Sequence, residues 1–129
     1  MKIEHIAIWT TRLEELKSFY ERYFGARTNA KYRNAAKQYE SYFLTFASGA
    51  RLEIMQRPDI LPLTRTATHQ YMGYTHLAFA VGSEAAVDAL TARLAADGYA
   101  HIDGPRRTGD GYYESVVLDP DGNRIEITV

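Results

Sequence analysis

The chain has 129 residues, of which 46% are hydrophobic, and its 15 basic and 16 acidic residues give a formal net charge of -1. This length predicts one domain or a duplicated pair of small modules. The balanced charge argues against nucleic-acid and polybasic membrane partners, which need surplus Lys and Arg. The absence of Cys excludes disulfides, thiolate metal sites and a Cys nucleophile. Because the sequence shows neither a run of about 20 apolar residues nor a leader, we expect a cytoplasmic protein without a membrane partner.

The first half of the sequence predicts a strand, a helix and three further strands. Apolar β-formers at Ile3–Trp9 indicate the first strand. Thr11 and Glu14 form the pattern T-x-x-E, which predicts a capping box at the start of a helix. Apolar residues then recur at helical spacing as far as Gly25, which is typical of a helix end. The other strands are expected at Thr28–Arg33, Tyr39–Ala47 and Arg51–Gln56.

The second half repeats the order of elements in the first. A strand at Tyr74–Val81 is followed by a helix with Ser83 as its expected N-cap and Gly98 as its expected end. Val87, Leu90 and Leu94 form one apolar face of that helix. The turn Asp119-Pro120-Asp121-Gly122 joins the last two strands. The strands after the helix are expected at Ala100–Ile102, Tyr113–Leu118 and Arg124–Val129.

Equivalent residues recur at a nearly constant interval. His76 follows His5 by 71 residues, and Glu126 follows Glu53 by 73 residues. Such self-similarity indicates a duplicated unit, here β-α-β-β-β, which is too small to cover both faces of its own sheet. We therefore predict an α+β fold in which two paired β-α-β-β-β modules form a half-barrel sheet around a cleft.

The boundaries of the modules follow from the same repeat. Residues 1–57 form module one and residues 74–129 form module two of a single domain that spans residues 1–129. The Pro- and Thr-containing segment 58–73 is the linker. Since it is longer than a simple turn, we expect it to cover the site as a loop.

Strand alternation places four polar side chains opposite aliphatic ones. His5 and Glu53 alternate with aliphatic residues in the first half, and His76 and Glu126 do so in the second. The aliphatic faces are expected to meet the two helices. If the opposite faces curve into a half-barrel, these four side chains converge.

Two imidazoles and two carboxylates suit one divalent metal ion, such as Zn, Ni, Mn, Fe or Co. The two carboxylates neutralise the charge of the ion, and octahedral coordination leaves two positions for water or for two substrate oxygens. Taken alone, each His or Glu is typical of a hydrogen-bonded or solvent-facing strand position. Their recurrence at equivalent places in both halves favours the metal site.

These residues resemble the vicinal oxygen chelate superfamily, which includes glyoxalase I, methylmalonyl-CoA epimerase, extradiol dioxygenases and fosfomycin or bleomycin resistance proteins. The resemblance is strongest in HIAIWTTRLEELKSFYERYFGA (5–26), THLAFAV (75–81) and LDPDGNRIEI (118–127). It implies paired β-α-β-β-β modules around a metal cleft. The metal ligands that it implies in this sequence are His5, Glu53, His76 and Glu126.

The same resemblance implies an activity. The ligand order His-Glu-His-Glu is similar to that of glyoxalase I, so we expect a metal-dependent, glyoxalase-like lyase or isomerase. Its small-molecule substrate presents two adjacent oxygens to the metal, and a carboxylate moves a proton. By resemblance, Glu126 is the first candidate for this base and Glu53 the second. The stretch 54–58 lacks the Asn that helps glyoxalase I hold glutathione.

Two other functions stay open at this point. One is an iron-dependent extradiol-type dioxygenase, and the other is a metal-free protein that binds a drug or another small molecule. The resemblance also implies a homodimer as the expected assembly, with each site built either within one chain or across two chains.

Other polar residues are assigned more ordinary roles. Arg51 and Arg124 precede the two Glu ligands by two residues each and are expected to form salt bridges at the rim of the cleft. His69 and His101 have no counterpart in the repeat and are interpreted as structural or surface residues.

Overall fold

The computed structural model describes residues 1–63, 66 and 68–129, and the chain divides into two compact units, Met1–Leu63 and Thr64–Val129. The predicted linker 58–73 spans this division, and its residues 64, 65 and 67 lie outside the described residues. Each unit contains one sheet and one α-helix. None of the helices in the described part of the chain is long and apolar enough to cross a membrane.

The first unit begins and ends with two strands that pair with each other. β1 and β5 are parallel, and the sheet has the order β1-β5-β4-β2, with β3 paired to β4. The remaining pairs are antiparallel. Its elements are β1 (His5–Trp9), α1 (Leu13–Phe24), β2 (Arg27–Thr28), β3 (Tyr32–Asn34), a 3-10 turn (Ala35–Lys37), β4 (Tyr39–Thr45) and β5 (Arg51–Gln56).

Among the described residues, the second unit has the same order of elements but no counterpart of the short strand β3. β6 and β9 are parallel, and the sheet has the order β6-β9-β8-β7. The predicted α+β class with two β-α-β-β-β modules is therefore confirmed, and each unit carries its own open sheet. Its elements are β6 (His76–Ala80), α2 (Glu84–Ala96), β7 (His101–Arg107), β8 (Tyr113–Leu118) and β9 (Arg124–Thr128).

Aliphatic side chains of each sheet pack against the helix of the same unit, as the alternation predicts. In unit one, α1 lies on β4 and β5, and Leu52 and Ile54 are almost fully buried. In unit two, α2 lies on β7, β8 and β9, and Ile125 and Ile127 are fully buried. Each core therefore occupies one face of a sheet, which leaves the other face for the His and Glu side chains.

The predicted capping box at Thr11 and Glu14 is wrong. The helix α1 starts at Leu13, its N-cap is Arg12, and no side chain caps it. The Thr10 hydroxyl accepts a hydrogen bond from the Arg12 N–H at 2.8 Å, which holds the chain in a turn just before the helix. Glu14 is engaged elsewhere, because its carboxylate accepts from the Tyr42 hydroxyl at 3.1 Å. By contrast, the predicted cap at Ser83 is confirmed, since its side chain accepts from the Ala86 N–H.

Two strand predictions need correction. The expected strand Thr28–Arg33 is divided into two short strands, β2 and β3. The Asn29 side-chain oxygen accepts a hydrogen bond from the Phe43 N–H at 2.8 Å, which interrupts the backbone pairing with β4. The expected short strand Ala100–Ile102 is the seven-residue strand β7. Gly104 adopts φ +76° at an irregularity in the pairing of β7 with β8. Because β7 is the edge strand of its sheet, the proline that follows Gly104 is tolerated there.

Gly104 lies so close to β8 that no side chain fits there. A Cβ at this position would lie 2.4 Å from the Glu114 carbonyl oxygen and 2.9 Å from the Ser115 Cα. We therefore expect Gly104→Ala to lower the free energy of unfolding by about 2–4 kcal/mol, because the clash adds to a left-handed backbone. Urea unfolding measures this loss. Gly109→Ala is the matched control, since Gly109 has open space around its Cβ; equal stability of the two variants would contradict this packing.

Candidate functional site

Parallel pairing of the first and last strands places one His and one Glu on the same sheet face in each unit. In both units the Ala two residues after the His lies directly opposite the Glu. His5 Nε2 lies 4.0 Å from Glu53 Oε2, and His76 Nε2 lies 3.4 Å from Glu126 Oε2. The repeat found in the sequence thus appears as two His–Glu pairs in the same strand register.

The two pairs have similar exposure. Both imidazoles are 41% exposed, whereas the Glu53 and Glu126 side chains are only 14% and 18% exposed. A carboxylate that is largely removed from water requires hydrogen-bond donors or a cation to offset the lost hydration. The pairs therefore present accessible imidazole nitrogens beside carboxylates that favour a positive partner.

A second carboxylate orients His5. The Glu4 carboxylate hydrogen-bonds His5 Nδ1 and also pairs with the Arg51 guanidinium. These contacts hold the pKa of Glu4 below its ordinary value, with the His5 hydrogen bond as the largest cause. Because Nδ1 is engaged, Nε2 is the nitrogen that faces Glu53. Arg51 is held in an ion pair and stacks on Phe43 at 4.1 Å, as expected of a rim salt bridge.

A phenol holds Glu53 in place. The Tyr39 hydroxyl donates to Glu53 Oε1 at 2.9 Å, which leaves Oε2 as the oxygen nearer His5. Burial raises the pKa of Tyr39, and the hydrogen bond to Glu53 raises it further. Tyr39 therefore remains a protonated donor at neutral pH, and Glu53 has one engaged oxygen and one that can bind another group.

The second pair has different surroundings. Tyr112 occupies the repeat position of Tyr39, but it is 58% exposed and lies in the turn before β8, where its N–H donates to the Thr108 hydroxyl. Glu114 on β8 shares the face of Glu126, because it lies opposite Thr128 in β9. Burial raises the pKa of Glu114, and the charge of Glu126 adds to this rise. The His76–Glu126 pair thus has a carboxyl neighbour in place of a phenol.

The measured separations fit two ligands of one ion. Ligand atoms that each lie 2.0–2.2 Å from the same metal are at most about 4.4 Å apart, and the two N···O distances of 4.0 and 3.4 Å satisfy this limit. Each unit by itself brings together two candidate ligands. In residues 1–63, 66 and 68–129, no group of three or more His, Asp or Glu side chains is arranged to hold a metal ion.

The two remaining histidines bond within their own segments. His69 Nδ1 hydrogen-bonds the hydroxyls of Thr66 and Thr68, and His101 Nε2 bonds the carbonyl of Asp103. Both are exposed. These contacts agree with the structural or surface role expected of them.

Sequence reasoning missed three residues that surround the two pairs. Glu4 precedes a candidate ligand, so strand alternation assigns it to the opposite face. Tyr39 was recognised only as the first residue of a predicted strand. Glu114 could have been found from the repeat, because it lies 73 residues after Ser41. At this position the first half carries a hydroxyl and the second half carries a carboxylate.

Comparison with known proteins identifies relatives that share the fold of this chain. The profile of the Glyoxalase/Bleomycin resistance protein/Dioxygenase superfamily matches residues 2–127. Among solved structures, the trypanothione-dependent glyoxalase I of Leishmania major is 22% identical with a TM-score of 0.76, over 99% of this chain and 86% of that one. A possible glyoxalase from Bacillus cereus is 25% identical, with a TM-score of 0.74 over 100% and 99%. A glyoxalase family protein from Enterococcus faecalis is 23% identical, with a TM-score of 0.78 over 99% and 97%.

The hydrogen bond between Tyr39 and Glu53 gives the stability a specific pH dependence. We expect Tyr39→Phe to lower the free energy of unfolding by about 1 kcal/mol at pH 7. Because the pKa of Tyr39 is raised in the folded state, this contribution is complete below pH of about 10 and is lost as the pH rises through the folded-state value. The difference in the free energy of unfolding between the wild type and Tyr39→Phe therefore narrows as the pH rises above about 10.

The single Trp of the chain reports this unfolding, since the Trp9 ring lies edge-on to Tyr39 at 6.1 Å. Urea titrations followed by Trp9 fluorescence between pH 7 and 11 measure the difference. Tyr112→Phe is the control, because Tyr112 is exposed. A difference that stays constant over this range would contradict the assigned hydrogen bond.

Proposed function

Because the chain belongs to the Glyoxalase/Bleomycin resistance protein/Dioxygenase superfamily, we propose that it is a divalent-metal-dependent, glyoxalase-like lyase or isomerase. Its substrate is a small molecule with two adjacent oxygens, one of them a carbonyl, and the reaction is a proton transfer at the neighbouring carbon. The observation that carries the proposal is the His–Glu pair repeated in identical register in both units.

The four proposed ligands are His5, Glu53, His76 and Glu126. Their imidazole nitrogens and carboxylate oxygens suit Zn, Ni, Mn, Fe or Co, and the two carboxylates balance a doubly charged ion. Within the first pair, Glu4 and Tyr39 fix the orientation of the two side chains, which is the role that outer hydrogen bonds play around metal ligands.

The proposed chemistry divides between the carboxylates. A bound divalent ion stabilises negative charge that develops on a substrate oxygen. Glu126 takes the proton from the carbon beside the carbonyl and returns it to another position of the substrate. Glu126 is preferred because it lacks a hydrogen bond like that from Tyr39 among the described residues, whereas one oxygen of Glu53 is already engaged. Glu53 is the second candidate for this base.

The proposal includes a homodimer in which each site takes one His–Glu pair from each of two chains. Each unit alone offers two ligands, and two further ligands complete the set. Apolar side chains are also exposed on the segment at the division between the units. Leu61, Met72 and Tyr74 are 88%, 105% and 93% exposed, respectively. A second copy of the chain would bury these exposed side chains, which favours self-association.

Proton transfer can be tested without knowledge of the natural substrate. Hydroxyacetone in D2O exchanges its carbon-bound hydrogens when a base removes them, and NMR measures the exchange. We expect exchange with Zn-, Ni-, Mn-, Fe- or Co-loaded protein and none after chelation. Glu126→Gln in excess metal should lower the rate by roughly 10²–10⁴-fold, which is typical of the loss of a general base.

Two results would contradict this activity. One is a metal-dependent exchange that Glu126→Gln and Glu53→Gln both leave unchanged. The other is uptake of oxygen by the ferrous protein with catechol in the absence of exchange, which would identify an extradiol-type dioxygenase instead.

The ligand assignment predicts graded losses of metal affinity. His5→Ala and His76→Ala should weaken binding by at least about a hundredfold, and Glu4→Gln by about tenfold to a hundredfold, since it acts only through the orientation of His5. Competition titration with a fluorescent chelator measures these affinities. Glu15→Gln is the matched control, because Glu15 is exposed and pairs with Arg12.

A mixture of two inactive variants tests the homodimer. If each site takes one pair from each chain, a heterodimer of His5→Ala and His76→Ala contains one intact site and one site without either His. Unfolding and refolding the mixture should therefore restore metal binding to about one quarter of the sites. If metal binding does not recover in the refolded mixture, both His–Glu pairs of a site belong to one chain.

A further inference from the structure

A cavity of about 400 Å³ lies in unit one, and its wall includes Tyr39, which hydrogen-bonds Glu53. Residues from the end of β5, from the β3–β4 connection and from the start of α1 line it. Its volume falls within the range of small-molecule sites, which is roughly 300–1,000 Å³. Most of the lining residues are polar or charged, and Ala35, Pro58 and the ring of Tyr39 supply apolar surface among them. Such a cavity suits a small organic molecule with a polar or charged end.

Two guanidinium groups line this cavity. Arg33 pairs with Glu40 through Nε at 2.9 Å, and Arg57 pairs with Asp59 through Nε at 2.5 Å. A guanidinium has five N–H donors, so in each case the terminal nitrogens remain for another acceptor. Among the described residues that line the cavity, Glu40 is the only carboxylate, and it is also held by Lys31 at 3.2 Å. The cavity therefore offers two forked donors that match a carboxylate in geometry.

The cavity is joined to the candidate site by two aromatic side chains. Tyr39 belongs to the cavity wall, and its hydroxyl donates to Glu53 Oε1 at 2.9 Å. Trp9 shares the sheet face of His5 and lies under the Arg57 guanidinium at 5.4 Å. Arg57 follows Glu53 by four residues of extended chain, so their Cα atoms are about 13 Å apart at 3.3 Å per residue.

We infer that this cavity binds the carboxylate end of the substrate, and that Arg33 and Arg57 select an organic acid. The inference rests on the proposed function for the role of the bound acid, because the adjacent oxygens of the same molecule then face Glu53. Arg33 and Arg57 are specificity-determining residues in this account. They anchor the substrate and take no part in the proton transfer.

Hexanoate is a probe that separates this inference from the proposed activity. It carries a carboxylate and an apolar chain but lacks the second, adjacent oxygen function, so its binding to the cavity requires no metal. Titration of chelator-treated protein should change the fluorescence of Trp9 saturably, because Trp9 contacts both Arg57 and Tyr39. Hexanamide has the same shape without the charge, and we expect it to bind at least about tenfold more weakly.

Substitutions then identify the groups that recognise the acid. Arg33→Gln should weaken hexanoate binding by about tenfold, since it removes charge-assisted hydrogen bonds. Its side chain is 70% exposed, so the fold should tolerate the change. Arg57→Gln should have a similar effect, measured by NMR of the ligand because this change also alters the surroundings of Trp9. Arg27→Gln is the matched control and should leave the affinity unchanged, because Arg27 is exposed on strand β2 and does not line the cavity.

The results that overturn the inference are distinct from those that overturn the activity. Equal binding of hexanoate and hexanamide to the wild-type protein would show that the cavity does not recognise a carboxylate. Unchanged affinity in both Arg33→Gln and Arg57→Gln would show the same. Loss of metal binding or of proton exchange with hexanoate binding intact would contradict only the proposed function, and the reverse pattern would contradict only this inference.

Discussion

The parallel pairing between the first and last strands of each unit is the constraint on which the site depends. It places the His of one strand and the Glu of the other on one sheet face, two residues apart in register. A shift of the register by one residue would turn either side chain into the helix-facing core. The buried side chains of Ile54 and Ile127 oppose such a shift, because each follows its Glu directly and is fully buried. Core packing therefore maintains the geometry of the polar face.

The two pairs share a frame but not their neighbours. In unit one, Glu4 engages His5 and Tyr39 engages Glu53, so both side chains are held by hydrogen bonds. In unit two, Thr75 stands before His76, and Glu114 lies on the same sheet face as Glu126. Rigidity suits a ligand, whereas a carboxylate without the phenol contact that holds Glu53 is freer to take a proton. This contrast supports the assignment of Glu126 rather than Glu53 as the base.

Periodicity and duplication predicted most of the fold, because they depend on residue spacing that the sequence displays directly. The boundaries of β5 and β8 and the cap at Ser83 were all predicted from local pattern. The errors arose where a side chain took over a backbone role. Asn29 interrupts a strand by hydrogen-bonding Phe43, and the Thr11 pattern lost its partner because Glu14 binds Tyr42. Such choices depend on tertiary neighbours that no local pattern reveals.

The same distinction applies to the site. The His–Glu pairs were recognisable because each recurs in both halves. Tyr39 and Glu4 became visible only when the strands were paired, since their roles depend on contacts across the sheet or along its face. The buried hydroxyls of Thr91 and Ser115, which bond each other at 2.6 Å, are a similar case in the core of unit two. Polar residues that satisfy one another across elements escape sequence patterns based on hydrophobicity.

The central claim is that the imidazoles and carboxylates of both kinds of unit bind one shared ion. X-ray absorption spectroscopy of the protein loaded with one equivalent of Zn tests it most directly, because imidazole scattering is distinct from that of carboxylate or water. A shared site should give two imidazole nitrogens in a mixed shell of nitrogen and oxygen at about 2.0–2.2 Å. A shell with fewer than two imidazoles would show that His5 and His76 do not bind the same ion.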